Sequence, residues 1–281
     1  MNGGLARTIR LPDGESVPQF GLGTWRMGEA RARAAGELAA LRAGLEAGVA
    51  AIDTAEMYGE GGAEEIVGQA IAGRRDRVFI VSKVYPHNAS RKGVAEACAR
   101  SLKRLGTDRI DLYLLHWRGG HPLAETVAGF EALKKAGHIR HWGVSNFDVA
   151  DMDDLFAAGG AGCAVNQVLY NLGRRSLETG LLARCRAERI PIMAYSPLEQ
   201  GRLPKSPALA KVAAAKGATP AQIMLAWAAR HPDVMVIPKA GNLAHLAENV
   251  AAMDLTLTDA DIAALDAGFP APKRPTPIDM L

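Results

Sequence analysis

Val78-Phe79-Ile80-Val81-Ser82-Lys83, an amphipathic stretch bearing Val94, Ala97, Cys98, Ser101, Leu102 and Leu105, and then Asp111-Leu112-Tyr113-Leu114-Leu115-His116-Trp117 together decide the fold. The two outer runs lack strict polar alternation, which suits parallel strands buried on both faces. The middle stretch follows the i, i+3, i+4, i+7 spacing of a helix with one apolar face. The segment therefore reads strand, helix, strand, with polar residues closing each strand.

Working outward, the same alternation recurs. Strand candidates lie near residues 19–23, 49–53, 78–83, 110–116, 139–145, 163–167, 190–195 and 234–237. A helix-period stretch follows each, although the first and sixth units are the weakest. Leu38, Leu41 and Leu45 mark an early helix. Thr219-Pro220-Ala221-Gln222 forms a capping box with proline at the first helical position, ahead of Ile223, Leu225, Ala226 and Trp227. With no linker rich in Pro, Gly or Ser, residues 1–281 are expected to form one α/β domain. Eight βα units make it a (β/α)8 TIM barrel. An N-terminal β-hairpin is expected from strands near 7–10 and 16–19, turning at Pro12-Asp13-Gly14. The competing architecture is an open doubly wound sheet. Its G-x-G-x-x-G marker starts at Gly21-Leu22-Gly23, but Trp25, Arg26 and Met27 follow and the third glycine is out of place.

Composition narrows the function classes. The 33 basic and 30 acidic residues are interspersed, so no nucleic-acid surface is indicated. The densest basic run, Arg74-Arg75-Asp76-Arg77, reads as a solvated loop. Three cysteines, Cys98, Cys163 and Cys185, include no CxxC pair, which argues against a disulfide framework or zinc site and suits a reducing cytoplasm. The N-terminus from Met1 lacks the apolar stretch of a signal peptide, and no segment approaches the roughly 20 apolar residues of a membrane helix. The expectation is a soluble cytoplasmic monomer with no membrane or nucleic-acid partner.

In such barrels the reactive side chains project from the carboxyl ends of the strands. One strand ends at Ile52-Asp53-Thr54-Ala55 with Tyr58 just beyond, the next at Ser82-Lys83, the next at Leu115-His116. Singly, such residues often make structural ion pairs or backbone contacts. Together on three successive strands they suit proton donation to a carbonyl oxygen. A free tyrosine, with a pKa of about 10, is a sluggish acid at neutral pH. A nearby lysine cation would lower that value, a carboxylate would orient the lysine, and a neutral histidine would hydrogen-bond the carbonyl.

These segments carry a family resemblance. Gly48 to Gly59 resembles a signature segment of the aldo-keto reductases. So do Val81-Ser82-Lys83-Val84, Asp111 to Trp117, Trp142-Gly143-Val144-Ser145-Asn146-Phe147, Asn166-Gln167, Ala194 to Leu198 and Ile237-Pro238-Lys239. The closest similarity is to bacterial members that reduce methylglyoxal and other small aldehydes. The resemblance implies an oxidoreductase with NADPH/NADP+ as cofactor, small carbonyls as substrates and no metal. Asp53, Tyr58, Lys83 and His116 match the catalytic tetrad, with Tyr58 as the proton donor. Ser145, Asn146 and Gln167 match the holders of the nicotinamide carboxamide, and Tyr195 the aromatic stacked on its ring. Gly23, Thr24, Trp25 and Asp53 fall in the same cofactor set. Ser196, Pro197, Leu198 and Gly201 match the loop over the pyrophosphate. Ile237, Pro238 and Lys239 match the strand end whose lysine meets the adenosine 2′-phosphate, and Glu248 and Asn249 the surroundings of the adenine.

Two positions depart from the family pattern. His245 stands where an arginine often pairs with the 2′-phosphate, and Ala240 where a serine is expected, so NADPH preference should be looser. Trp25, Tyr58, Tyr85, His116 and Trp117 are expected to line the substrate pocket, though rim packing explains Trp25 or Tyr85 nearly as well. A short loop from Arg118 to Pro122 and a brief tail after Ala267 imply an open site for small or varied carbonyls. Two rival functions stay on the table: a cofactor-binding scaffold with little turnover, and a lyase using Lys83 as a Schiff-base nucleophile.

Overall fold

The computed structural model describes residues 3–281, and Met1 and Asn2, on which the expectation of a leaderless start partly rests, lie outside the described residues. The chain opens with an antiparallel hairpin, β1 (Thr8–Arg10) and β2 (Ser16–Pro18), in the register Ile9 opposite Val17. Its turn falls where Asp13 and Gly14 predict it. Gly14 has φ +93°, and the Asp13 carboxylate accepts the Glu15 N–H at 3.1 Å.

Eight parallel strands follow in sequence order: β3 (Leu22–Gly23), β4 (Ala51–Asp53), β5 (Phe79–Val84), β6 (Ile110–Leu115), β7 (Ile139–Ser145), β8 (Cys163–Leu169), β9 (Ile192–Tyr195) and β10 (Val234–Val236). The helices between them are α1 (Arg31–Glu46), α2 (Gly62–Ile71), α3 (Arg91–Leu105), α4 (Leu123–Lys135), α5 (Val149–Ala157) and α6 (Leu181–Ala187). A pair, α7 (Pro207–Lys216) and α8 (Pro220–Ala228), joins β9 to β10, and α9 (Leu243–Ala252) and α10 (Asp259–Gly268) come last. The sheet closes on itself. The Gly21 N–H donates to Val236 O, the Val236 N–H to Gln19 O and the Gly23 N–H to Pro238 O, each within 3.0 Å. This is the expected (β/α)8 barrel with its hairpin.

Closure explains the glycines that begin like a phosphate fingerprint. A Cβ on Gly23 would sit 2.7 Å from the Ile237 carbonyl oxygen, so Gly23 permits close approach at the seam. The apolar runs behave as expected: every residue of β5, β6 and β8 is buried. Side chains aimed inward, such as Val81, Leu112, Leu114, Val165 and Met193, fill the barrel, and Ile9, Leu11 and Val17 of the hairpin pack into the same cluster. A larger layer of apolar side chains joins the strands to the helices, with Cys98, Trp142 and Trp227 fully buried. The Thr219–Gln222 capping box is formed at the head of α8.

One expectation is corrected. The basic run is not simply solvated. Arg75 has a side chain 16% exposed and donates to the Asp111 carboxylate, the carbonyls of Val78 and Arg109, and the Thr107 hydroxyl. Asp111 is buried on β6, where it also accepts from the Ile80 N–H and from Arg140. A buried carboxylate must be paired, and Arg75 and Arg140 are the two cations that reach it. No helix among the described residues is long and apolar enough to cross a membrane.

Candidate active site

Asp53 is the last residue of β4, Lys83 lies near the end of β5, and His116 follows β6 directly. Tyr58 opens a 3-10 turn, Tyr58–Gly61, just past β4. That turn rests backbone to backbone on the loop after β3. A Cβ on Gly59 would lie 2.8 Å from Met27 O, and one on Gly28 only 2.3 Å from Gly62 C. Gly59 and Gly28 also have positive φ, at +56° and +76°. The glycine after Tyr58 is thus needed to seat the phenol. Glu37 of α1 fixes the opposing loop by accepting the Gly28 N–H at 3.0 Å.

The four side chains converge. The Lys83 ammonium donates to the Asp53 carboxylate at 2.9 Å, the Thr54 carbonyl at 2.8 Å and the Tyr58 hydroxyl oxygen at 3.1 Å. Lys83 is completely buried, so its charge depends on Asp53. The Tyr58 and His116 rings meet edge-on at 5.7 Å, and Trp25 meets Tyr58 edge-on at 5.0 Å. Tyr85, His116 and Trp117 form a rim, with Tyr85 5.5 Å and His116 4.9 Å from Trp117 between ring centres.

Burial shifts all three titrating groups away from their charged forms. Tyr58 is pushed well above the usual phenol value by burial and then by Asp53. Lys83 is lowered by burial against the pull of Asp53. His116 is driven well below the usual imidazole value by burial and then by Lys83. The expected lowering of the Tyr58 pKa by Lys83 is therefore reversed at rest, because burial and the Asp53 charge both raise it. The phenol holds its proton and the imidazole is neutral.

The remaining predicted residues fall into two groups. Near the tetrad, the Thr24 hydroxyl donates to Asp53 O at 2.9 Å, and the Gln167 amide donates to the Asp53 carboxylate at 2.8 Å. Asn146, at φ +59°, donates to His116 O, and the Tyr195 hydroxyl donates to the Asn146 side-chain oxygen at 2.9 Å. Ser145 is buried beside them at the end of β7. The loop from Ser196 through Pro197 and Leu198 to Gly201 runs on from β9, with Ser196, Glu199, Gln200 and Gly201 all at positive φ.

The second group gathers past β10. Ile237 and Pro238 are buried, while Lys239 is exposed and its ammonium lies over Gly241. Asn242 caps α9 by accepting the His245 N–H at 2.9 Å. Asn249 is buried, and the Glu248 carboxylate accepts the Thr219 hydroxyl. Lys239 makes no ion pair among the described residues. A free cation beside a helix N-terminus suits an anionic group.

Some contributors were not visible in the sequence. Glu56, in the segment between Asp53 and Tyr58, accepts the Tyr85 N–H at 2.8 Å and the Asn88 amide at 3.0 Å, placing the pocket rim. Asn171 and Arg174 hold Glu199 of the β9 loop. The only sequence signal was for Glu56, which sits inside a motif already singled out.

An eight-stranded barrel with a buried Asp–Lys–Tyr chain and a neutral histidine at its mouth defines a carbonyl oxidoreductase. The chain belongs to the aldo/keto reductase family, whose model matches residues 19–268. It is 49% identical to the methylglyoxal reductase YeaE of Escherichia coli over 98% of this chain and 99% of that protein. Two crystal structures of an aldo/keto reductase from Klebsiella pneumoniae, one in complex with NADP and acetate and one with NADPH, are similar to it. Each superposes with a TM-score of 0.94 at 50% identity, covering 98% of this chain and 99% of the other.

Proposed function

We propose that this protein is an NADPH-dependent reductase of small aldehydes and ketones such as methylglyoxal, acting as one domain and as a monomer, with Tyr58 as the proton donor. One observation carries the proposal: Lys83 sits 3.1 Å from the Tyr58 hydroxyl while burial keeps that hydroxyl protonated. Support for the substrate class comes from the methylglyoxal reductase similarity and for the cofactor from the NADP and NADPH complexes of the Klebsiella enzyme.

The residues fit the dinucleotide at both ends. Lys239 and the α9 N-terminus offer positive potential for the 2′-phosphate, and Tyr195, Asn146, Ser145 and Gln167 surround the place for the nicotinamide. When bound, NADPH supplies hydride to the carbonyl carbon. Tyr58 gives its proton to the carbonyl oxygen as charge develops there. The phenolate left behind is stabilised by the Lys83 ammonium, an interaction that strengthens only as the proton leaves. Asp53 keeps Lys83 charged and, with Thr54 O, fixes its direction.

His116 orients the carbonyl. Its Nδ1 is buried without a partner, and the neutral ring can carry its proton on Nε2 as a donor to the carbonyl oxygen. Trp25, Tyr85 and Trp117 form the apolar walls that exclude water. The lyase alternative is disfavoured because Lys83 is fully buried and paired with Asp53, which holds it as an ammonium; a Schiff-base nucleophile must be a neutral amine that the carbonyl carbon can reach.

The test is the loss of reduced-nicotinamide absorbance with purified protein, NADPH and a panel that begins with methylglyoxal. Turnover of small aldehydes ahead of bulky ketones is the expected result. Tight NADPH binding with no turnover across the panel would overturn it in favour of a cofactor-binding scaffold.

A further inference from the structure

The loop after β9 and the C-terminal tail meet on one side chain. Arg174 follows β8, outside the barrel. Its Nε and Nη2 donate to Glu199 Oε1 at 3.2 and 3.0 Å, and its Nη1 donates to Asp279 Oδ1 at 3.3 Å. Glu199 stands in the loop of left-handed residues assigned above to the pyrophosphate, at φ +49°, with Gln200 at +56° beside it. Non-glycine residues in that region keep such a conformation only when neighbours hold them there. Asn171 does part of this, its amide donating to Glu199 Oε2 at 2.7 Å and to Ser196 O at 3.0 Å.

The tail is fixed at the same point. The Asp279 N–H donates to the Ser176 hydroxyl at 3.0 Å, and Ile278 packs against the core. The brief tail is therefore not clear of the site. Through Arg174 it is tied to Glu199, in the loop that runs on from β9.

We propose that Arg174 is a positioning residue that latches the C-terminal tail to the cofactor loop through Glu199 and Asp279, so that tail closure and retention of the dinucleotide are linked. This rests on assigning Ser196–Gly201 to the pyrophosphate. Linkage is reciprocal: a tail that favours the closed loop slows cofactor release, and bound cofactor protects the tail. Asp279 needs no contact with the dinucleotide to have this effect.

The experiment is stopped-flow displacement of NADPH, followed by its fluorescence, in the wild type and in Asp279→Asn, Arg174→Ala, Arg174→Lys and Glu199→Gln. Hydrogen exchange at residues 279–281 is followed without NADPH. Asp279→Asn should speed release about two- to fivefold, the range that a partly exposed ion pair supports. Arg174→Ala should do at least as much, Arg174→Lys should restore part of the slow release, and Arg174→Ala with Asp279→Asn should be no faster than Arg174→Ala alone. Glu199→Gln should raise tail exchange in the cofactor-free protein. If Glu199→Gln speeds release while Asp279→Asn does not, the latch is overturned and the loop assignment stands. If no variant alters release, the loop assignment falls and the latch with it.

Discussion

Lys83 commits each of its three ammonium protons at the barrel mouth, to Asp53, Thr54 O and Tyr58. Removing the counter-charge should therefore be felt in both stability and chemistry. Asp53→Asn leaves a buried cation without compensation, a defect that costs about 3 kcal/mol or more in comparable buried pairs. Lys83 can limit this by releasing its proton, and the variant would then lose its aid to the phenolate as well. Urea denaturation should show the loss of stability, and turnover should fall with it. A variant as stable and active as wild type would refute the coupling. At the other end of the site, Lys239→Ala should raise KM for NADPH far more than for NADH, because only NADPH carries the 2′-phosphate. Equal effects on the two cofactors would remove that assignment. His245 keeps its ring beside Asn242, which caps α9, and offers no bidentate fork, so the proposed discrimination rests mostly on Lys239.

At the scale of elements, the tetrad was legible because each member follows an apolar run directly or by a short turn, and a parallel strand has only one end where such residues meet. The supports were not legible, because their partners are remote. Arg174 and Asp279 are separated by 105 positions, and Glu56 reaches Tyr85 across 29. Nothing in composition marks Ser196 as left-handed, since serine rarely adopts that region. The same remoteness concealed Arg75, which looked like one member of a charged turn. In the fold it ties the connection before β5 to Asp111 of β6. Arg75→Ala should cost about 2–3 kcal/mol, as expected when a buried carboxylate loses a charged donor, with Arg140 limiting the damage. Chemical denaturation measures it; a change below about 0.5 kcal/mol would return Arg75 to the role of a surface charge.

For the whole molecule, strand count, order and the hairpin were all readable from periodicity, since strands buried on both faces and helices buried on one leave different patterns. Closure into a barrel followed from the eight βα units, but the seam itself was not readable, because it depends on backbone approach at Gly21 and Gly23 rather than on side-chain pattern. The folded barrel also keeps two histidines, His116 and His231, neutral. His116 is depressed by burial and Lys83, and His231 is pushed down to about 4 by burial, Arg230 and Arg186. The unfolded chain takes up those protons near pH 6.5. Below that value it binds more protons than the native state, so this contribution to stability is complete above about pH 6.5 and declines as pH falls toward the folded values. Calorimetry should find a lower Tm at about pH 5 than at about pH 7.5, with a smaller drop in His231→Gln. A Tm that rises on acidification would contradict the sign.

The central claim is that Tyr58 protonates the carbonyl oxygen, and the direct measurement compares Tyr58→Phe with wild type in NADPH affinity and in turnover of methylglyoxal. The substitution removes one buried oxygen and leaves the ring packed against Trp25 and His116. If Tyr58 is the donor, NADPH affinity stays close to wild type while kcat falls by about 10²- to 10⁴-fold. Turnover near wild type in the folded, cofactor-binding variant would contradict it and place the proton donor elsewhere in the site.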